Sequence, residues 1–178
     1  MLVYLMRMIR LANEKDIDAI MAIVKDAKAS MKENHIDQWQ GDYPQKEIFL
    51  EDISNGNCYV VEEDSIIGVM CMFLRESELD NEDNYDYIEE GDWLNHDSYV
   101  VVHRSAILSK YKGKGYMQQM FEYAKEYALK HGINNLRVDT HKDNLPMRKA
   151  IKKYGFVECG VVYMYDQTKR LAFMKVIS

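Results

Sequence analysis

The spacing of apolar residues near the start of the chain predicts a strand followed by two helices. Residues 7–11 are typical of a short first strand. Asn13 then offers a helix cap, and apolar side chains recur after it at intervals of three and four residues. These are Ile17, Ile20, Met21, Val24 and Ala27. A polar loop over residues 34–45 separates this helix from a shorter one predicted at residues 46–53.

The next apolar segments predict a hairpin and then a third strand. The hairpin strands run from Cys58 to Glu62 and from Ile66 to Phe73, and the polar residues 63–65 form a tight turn between them. A further apolar segment, YVVVHRSAIL, covers residues 99–108. This third strand leads directly into the sequence KYKGKG.

Helices and strands alternate in the second half of the chain. The helix after KYKGKG has one apolar face, formed by Met117, Met120, Phe121, Ala124 and Ala128. A strand at 135–140, a helix at 147–154 and strands at 156–162 and 170–176 follow. The predicted order is β-α-α-β-β-β-α-β-α-β-β, which is typical of an α/β fold with a mixed sheet. At 178 residues we expect one domain over residues 1–178.

The charge of the chain is unevenly distributed. The formal net charge is -6, but residues 76–97 alone hold ten acidic residues and no Lys or Arg. The rest of the chain therefore carries a small positive charge. The acidic segment is either a solvated loop or a feature that attracts a cationic substrate. Neither the acidic segment nor the short lysine cluster after it indicates a nucleic-acid-binding surface.

The cysteines and the lengths of the apolar segments indicate where in the cell the protein is expected. The three cysteines, Cys58, Cys71 and Cys159, form no CxxC pair, so neither a metal site nor a disulfide framework is indicated. The longest apolar run, residues 66–74, is shorter than the roughly 20 residues that span a bilayer. Residues 1–6 lack the flanking sequence of a signal peptide. We therefore expect a cytoplasmic protein with buried, reduced thiols that does not bind membranes.

Residues 104–124 carry the most informative chemistry. A strand enters a turn that contains Gly113 and Gly115, and a helix begins directly after it. Glycine allows the backbone to approach a ligand, and a helix N-terminus offers unpaired N–H groups at the positive end of the helix dipole. The turn also holds three lysines, Lys110, Lys112 and Lys114. This combination predicts a phosphate-binding site, although an ordinary turn with solvated lysines is the alternative.

The same residues resemble the acetyl-CoA motif of the GNAT superfamily, R-L-A-V-x-P-x-Y-R-G-K-G-I-G. In that family the backbone amides of the pattern [RQ]-x-x-G-x-[GA] bind the pyrophosphate. The matching residues are Lys112, Gly113, Lys114, Gly115, Tyr116 and Met117. Lys112 replaces the usual Arg or Gln, and Met117 replaces a small residue. The resemblance implies a single-domain α/β fold with a central mixed, splayed sheet flanked by helices, and acetyl-CoA as the cosubstrate.

The resemblance also assigns roles around this motif. The backbone groups of Ala106, Ile107 and Leu108 would pair with the pantetheine arm, although plain strand core explains these residues too. A second block, residues 136–160, resembles the family's next strand, turn and helix. Asn144 stands where the family often has an Asn that bonds the pantetheine arm, and a helix cap is the equal alternative.

The family's usual general acid is missing. The family often ends this helix with L-Y-E-K-L-G-F, in which the Tyr protonates the departing thiolate. The chain reads A-I-K-K-Y-G-F, so Ile151 falls at the Tyr position. Tyr154 lies three residues later on nearly the same helical side and is the substitute candidate, with core packing as the other interpretation.

A base is also required, because an alkyl amine with a pKa of about 10 is protonated at neutral pH. His103 is the first candidate, since it lies on the strand that enters the motif, four residues before Ile107 and so on the same face. His141 is the second, and acidic residues acting through water are a third. We expect the Ile107 N–H to stabilise the oxyanion. We expect direct attack in a ternary complex, since no cysteine lies in a basic or helix N-terminal context.

The sequence leaves the acceptor open. Aromatic residues near acidic ones favour a small, cationic amine, although packing explains each of them as well. They are Trp39, Tyr43, Tyr85, Tyr87 and Trp93. The alternatives are a protein or peptide N-acetyltransferase, and a catalytically inactive acyl-CoA-binding or sensing domain, which Ile151 and Met117 favour. Whether the protein forms a homodimer is also left open.

Overall fold

The predicted order of elements is confirmed by a computed structural model, which describes residues 9–75, 85, 87–164 and 166–178. The strands are Ile9–Leu11 (β1), Cys58–Glu62 (β2), Ile66–Arg75 (β3), Tyr99–Ile107 (β4), Asn135–Thr140 (β5), Val157–Tyr163 (β6) and Lys169–Val176 (β7). The helices are Ile17–Glu33 (α1), Lys46–Ser54 (α2), Tyr116–Lys130 (α3) and Leu145–Tyr154 (α4). The predicted start of the first strand, residues 7 and 8, lies outside the described residues.

The strands form a seven-stranded open sheet in the order β1-β2-β3-β4-β5-β7-β6, flanked by helices. Pairing is antiparallel between β1 and β2, β2 and β3, β5 and β7, and β6 and β7, whereas β4 and β5 are parallel. The sheet is therefore mixed, and the α/β fold class is confirmed. The parallel pairing joins Val100 with Leu136 and Val101 with Arg137, and β4 continues beyond it to Ile107.

The chain forms two compact units, Met1–Met72 with His103–Tyr123, and Phe73–Val102 with Ala124–Ser178. In the first unit, Asn13 is a helix cap as predicted, but the element that it caps is a short 3-10 turn, Glu14–Asp16, which precedes α1. The Asp16 carboxylate accepts the Asn13 N–H at 2.8 Å and two N–H groups of Arg10 at 2.8 and 3.1 Å. This arrangement fixes the entry of the chain into α1.

In the second unit, residues that the sequence placed in an acidic loop are part of the core. Trp93 and Tyr85 are 6% and 2% exposed. The Arg137 guanidinium carbon lies 4.1 Å from the ring centroid of Trp93 and 4.0 Å from that of Tyr99. Trp93 and Tyr99 therefore enclose a cation of the protein itself. Residues 76–84 and 86 of the acidic segment lie outside the described residues.

The described part of the acidic segment is also bonded to the strand β6. The N–H and C=O of Glu89 both pair with Val161 at 2.8 Å. A Cβ atom on Gly91 would lie only 2.0 Å from the carbonyl oxygen of Cys159, and one on Gly160 would lie 2.5 Å from that of Glu89. Two glycines thus allow this backbone to approach β6 closely.

None of the helices in the described part of the chain is long and apolar enough to cross a membrane.

Candidate functional site

The glycine turn after β4 has the backbone geometry of an anion site. Gly113 and Gly115 have φ angles of +78° and +88°, which glycine adopts far more readily than other residues. The helix α3 begins at the next residue, Tyr116. A Cβ atom on either glycine would have no heavy atom within 4 Å, so the space above the turn is open. N–H groups at the helix start and the open space together suit a phosphate group.

The lysines of the turn are held close to it by identifiable contacts. The Lys112 ammonium donates to Ser30 Oγ at 2.8 Å. The ammonium groups of Lys110 and Lys114 lie 5.2 and 5.1 Å from the centroid of the Tyr111 ring. Three positive charges therefore surround the glycine turn, in a protein whose net charge is negative.

Two carboxylates anchor the ends of the turn. Asp26 accepts hydrogen bonds from the Ser109 N–H at 2.7 Å and the Ser109 hydroxyl at 2.8 Å. Tyr116 donates its hydroxyl to Glu63, and this hydrogen bond raises the pKa of Tyr116 to about 12. Tyr116 therefore stays protonated and serves to hold the start of α3 rather than to transfer a proton.

The end of β4 directs its backbone groups in an alternating manner. The Leu108 N–H donates to the Ile67 carbonyl of β3 at 2.9 Å. The Ala106 carbonyl also faces β3, because it lies 3.3 Å from the position of a Cβ on Gly68. Successive residues of a strand direct their backbone groups to opposite edges. Of the three residues predicted to bond the pantetheine arm, Ile107 is therefore the one whose N–H points away from β3.

Arg104 has a left-handed backbone in the interior of β4, which the sequence did not indicate. Its φ is +47°, a conformation that costs a non-glycine residue roughly 1–2 kcal/mol. Its Nε and Nη2 atoms donate to Asp52 Oδ2 at 2.9 and 2.7 Å, and its Nη1 donates to the Tyr43 hydroxyl at 3.1 Å. Burial acts to lower the pKa of Arg104, but Cys71, Tyr43 and Asp52 outweigh it and raise that pKa. The guanidinium remains charged.

The left-handed backbone of Arg104 also affects the face of β4 on which His103 lies. His103 and Ile107 share a face only if strand alternation is unbroken between them, and Arg104 interrupts it. His103 is half-buried in β4. Its role as a base stays a prediction, without the support of a shared face.

His141, the second candidate base, uses one ring nitrogen locally. The Asp143 N–H donates to its Nδ1 at 3.2 Å. A neutral imidazole that accepts at Nδ1 carries its proton on Nε2, so Nε2 is then a donor and cannot take a proton from an amine. The structure thus gives His141 a local structural contact, and its catalytic role stays a prediction.

The cysteines are buried, and in the described part of the chain all three are free thiols. Cys71 lies in a charged setting that the sequence did not indicate, because its Sγ is 3.3 Å from Asp52 Oδ2. Burial nevertheless raises the pKa of both Cys71 and Cys159. Neither thiol is prepared to act as a nucleophile at neutral pH. Among the described residues, no group of three or more His, Cys, Asp or Glu side chains is placed to hold a metal ion.

Comparison with known proteins decides the family. The model of the acetyltransferase (GNAT) family matches residues 18–156. The chain belongs to the GNAT acetyltransferase family. A solved GNAT acetyltransferase from Streptococcus agalactiae 2603 is 32% identical, with 96% of this chain and 95% of that chain covered and a TM-score of 0.83. The expected family is therefore confirmed.

Other solved structures share the GNAT fold at lower identity. A Staphylococcus aureus Mu50 protein assigned to the acetyltransferases is 28% identical over 96% of this chain and 99% of that one, with a TM-score of 0.68. The ribosomal-protein-S18-alanine N-acetyltransferase of Escherichia coli is 12% identical, with 96% and 93% covered and a TM-score of 0.63, which shows a common fold alone. No protein of curated function matches the chain.

The GNAT positions on α4 have local structural roles in this chain. Asn144 is buried and caps α4, since its Oδ1 accepts the Met147 N–H at 3.2 Å. This is the helix-cap role that the sequence left open, and a bond to pantetheine stays a prediction. Ile151, at the usual Tyr position, is fully buried.

Tyr154, the substitute acid of this GNAT chain, has the contacts of a packing residue. The Lys175 ammonium lies 4.4 Å from its ring centroid and donates to its backbone carbonyl at 2.5 Å. Its ring also lies 5.9 Å from that of Phe156. These contacts are those of a side chain that packs at this helix end, so its role as an acid stays a prediction.

Proposed function

We propose that this GNAT protein transfers the acetyl group of acetyl-CoA to a primary amine. The observation that carries the proposal is the open, positively charged glycine turn at the start of α3. Coenzyme A is strongly anionic, and this turn offers it N–H groups, a helix dipole and lysines. The residues matched to the family pattern, 112–117, would hold the pyrophosphate.

The proposed reaction is direct attack in a ternary complex. The amine nitrogen forms a bond to the thioester carbonyl carbon, the carbon–sulfur bond breaks, and the thiolate leaves. The Ile107 N–H, which points away from β3, would donate to the oxyanion. The raised pKa values of Cys71 and Cys159 favour direct attack over an acyl-cysteine intermediate.

Proton transfer is assigned to His103 in this proposal. His103 lies on β4, the same strand as Ile107, and would accept the amine proton directly or through water. Tyr154 and His141 are the other candidates for proton transfer. The departing thiolate has a lower pKa than an alkyl amine, so it can leave without an acid or take its proton from water.

The substrate proposal is a small primary amine. Trp93 and Tyr85 no longer support a cationic one, because the Trp93 ring packs on Arg137 and Tyr85 is buried with its hydroxyl donated to Asp139. A peptide N-terminus is retained as a second class, since the Escherichia coli ribosomal-protein-S18-alanine N-acetyltransferase shares the fold. Acyl-CoA binding without turnover is the remaining alternative, and the buried Ile151 at the usual acid position favours it.

An amine screen tests the proposal. The protein is incubated with acetyl-CoA and a panel of polyamines, amino sugars, amino acids and short peptides. Release of the coenzyme A thiol is followed with a thiol reagent, and acetylated products are identified by mass spectrometry. We expect acceptor-dependent thiol release that is matched by acetylated product. Saturable acetyl-CoA binding with no acetylated acceptor would favour the sensing domain instead.

A further inference from the structure

The ion pair between Asp52 and Arg104 is almost completely enclosed. The two side chains are 7% and 13% exposed. Both Arg104 bonds to the carboxylate end on the same oxygen, Oδ2, at 2.9 and 2.7 Å, and Nε is one of the donors. Because Nε lies at the base of the guanidinium, this contact fixes the direction of the whole Arg104 side chain.

The carboxylate itself is held by rigid elements. Asp52 lies on α2, a helix that packs on β2 and buries Phe49 completely. Its Oδ2 also receives a contact from Cys71 Sγ on β3 at 3.3 Å. The pair therefore ties β4 to a helix and to a neighbouring strand within one compact unit.

The tie is made at the one point of β4 where the backbone is left-handed, with a φ of +47° at Arg104. A residue other than glycine keeps this conformation only when its surroundings hold it there. The direction of the backbone at Arg104 determines the direction of the strand up to Ile107, three residues on. On the other side, Gly68 of β3 has no Cβ, and the Ile107 side chain fills that place, since a Cβ there would lie 2.4 Å from Ile107 Cδ1.

We infer that Asp52 and Arg104 are positioning residues, which hold the left-handed turn of β4 so that the Ile107 N–H is aimed at the acetyl carbonyl. The inference rests on the proposed function. It explains a buried charge pair that the fold alone does not require, because apolar residues could fill the same space. A misdirected donor loses its effect on the carbonyl even when the cofactor still binds.

The polarisation of the bound thioester gives a direct test that needs no acceptor. Acetyl-CoA labelled with carbon-13 at the carbonyl is bound to wild type, and the displacement of the carbonyl resonance from its free value is measured by NMR. The variants are Asp52→Asn, which removes the charge at constant shape, and Arg104→Lys, which keeps the charge but removes the fork. Affinity is measured by calorimetry and folding by thermal denaturation.

Asp16→Asn is the matched control. Asp16 belongs to the same unit, its side chain is 8% exposed against 7% for that of Asp52, and it also accepts two bonds from an arginine, Arg10. Its pair lies at the entry to α1 and not on β4. We expect it to lower the melting temperature and to leave the carbonyl displacement unchanged.

The expected result is that wild type displaces the resonance downfield, and that Asp52→Asn and Arg104→Lys lose most of this displacement while acetyl-CoA affinity falls by no more than about threefold. An unchanged displacement in a folded Asp52→Asn or Arg104→Lys protein would overturn the inference. So would an equal loss in Asp16→Asn, because the effect would then reflect general loosening. If wild type does not bind acetyl-CoA, it is the proposed function that fails. If it binds without displacement, the positioning inference and the Ile107 donor fail, while acetyl transfer itself is still tested by the amine screen.

Discussion

Replacing Gly115 by alanine separates the cost of backbone strain from the cost of blocking a ligand. A Cβ atom at Gly115 would meet no heavy atom within 4 Å, so the substitution causes no clash in the free protein. Its φ of +88° is the remaining cost, and a left-handed backbone costs alanine roughly 1–2 kcal/mol. For a chain of this size 1 kcal/mol corresponds to about 2–4 °C, so we expect the melting temperature to fall by about 2–8 °C.

Backbone strain is present in the free and in the bound protein, so by itself it leaves acetyl-CoA affinity unchanged, and a fall in affinity needs a separate cause. The new methyl group would occupy the open space over the turn, where the pyrophosphate is proposed to lie. Loss of close backbone contact should raise the dissociation constant at least tenfold, which corresponds to a loss of about 1.4 kcal/mol in binding free energy. Isothermal titration calorimetry with acetyl-CoA measures this loss.

Gly56→Ala is the matched control. Gly56 has a φ of +71°, its Cβ position is equally open, and it lies in the turn between α2 and β2. We expect the same loss of melting temperature and unchanged binding. Wild-type affinity in Gly115→Ala, or an equal loss of affinity in both variants, would refute the assignment of the glycine turn as the pyrophosphate site.

Three further substitutions test the fold and the end of β4. The hydrogen bond from Arg10 is the main reason why the pKa of Asp16 is lowered below its ordinary value of 3.8. The ionised Asp16 therefore stabilises the fold above pH 3.8, and this stabilisation is lost as pH falls through the pKa of the folded state. Asp16→Asn should therefore lower the melting temperature at pH 7 and flatten its fall below about pH 4, and a profile parallel to wild type would contradict this. Gly68→Ala would place a Cβ 2.4 Å from Ile107 Cδ1, so calorimetry should show weaker acetyl-CoA binding, and unaltered binding would argue against a role for this strand end. Gly91→Ala would place a Cβ 2.0 Å from the Cys159 carbonyl oxygen, so tryptophan fluorescence should shift to the red as the segment leaves β6, and an unshifted spectrum would contradict the packing described above.

Periodicity predicted the elements because each has a clear apolar face. The hairpin strands β2 and β3 begin at Cys58 and Ile66 as predicted, and β5 spans 135–140 as predicted. The main differences are at helix ends. The α4 helix begins at Leu145 rather than at residue 147, because Asn144 caps it and Pro146 is accepted in the first turn.

The charged cluster of β4 could not be predicted in the same way. Asp52 and Arg104 are 52 residues apart in the chain, and Asp and Arg are residue types that usually lie at the surface. Nothing local marks Arg104 as left-handed, since arginine rarely adopts that conformation. Tertiary structure, not sequence pattern, holds it there.

The acidic segment misled for a related reason. Ten acidic residues without Lys or Arg indicate a solvated loop, yet Trp93 in this segment is buried against Arg137 of β5. The lone aromatic residues were the only local indication. A cation in the interior that pairs with rings rather than with a carboxylate leaves no charge pattern in the sequence.

A calorimetric titration of acetyl-CoA into the wild-type protein tests the proposed cofactor site most directly. We expect saturable binding to one site per chain that weakens as ionic strength rises, because lysines and a helix N-terminus would hold the phosphates. The absence of saturable binding would contradict the acetyltransferase proposal, and would leave a GNAT family member whose glycine turn serves another purpose.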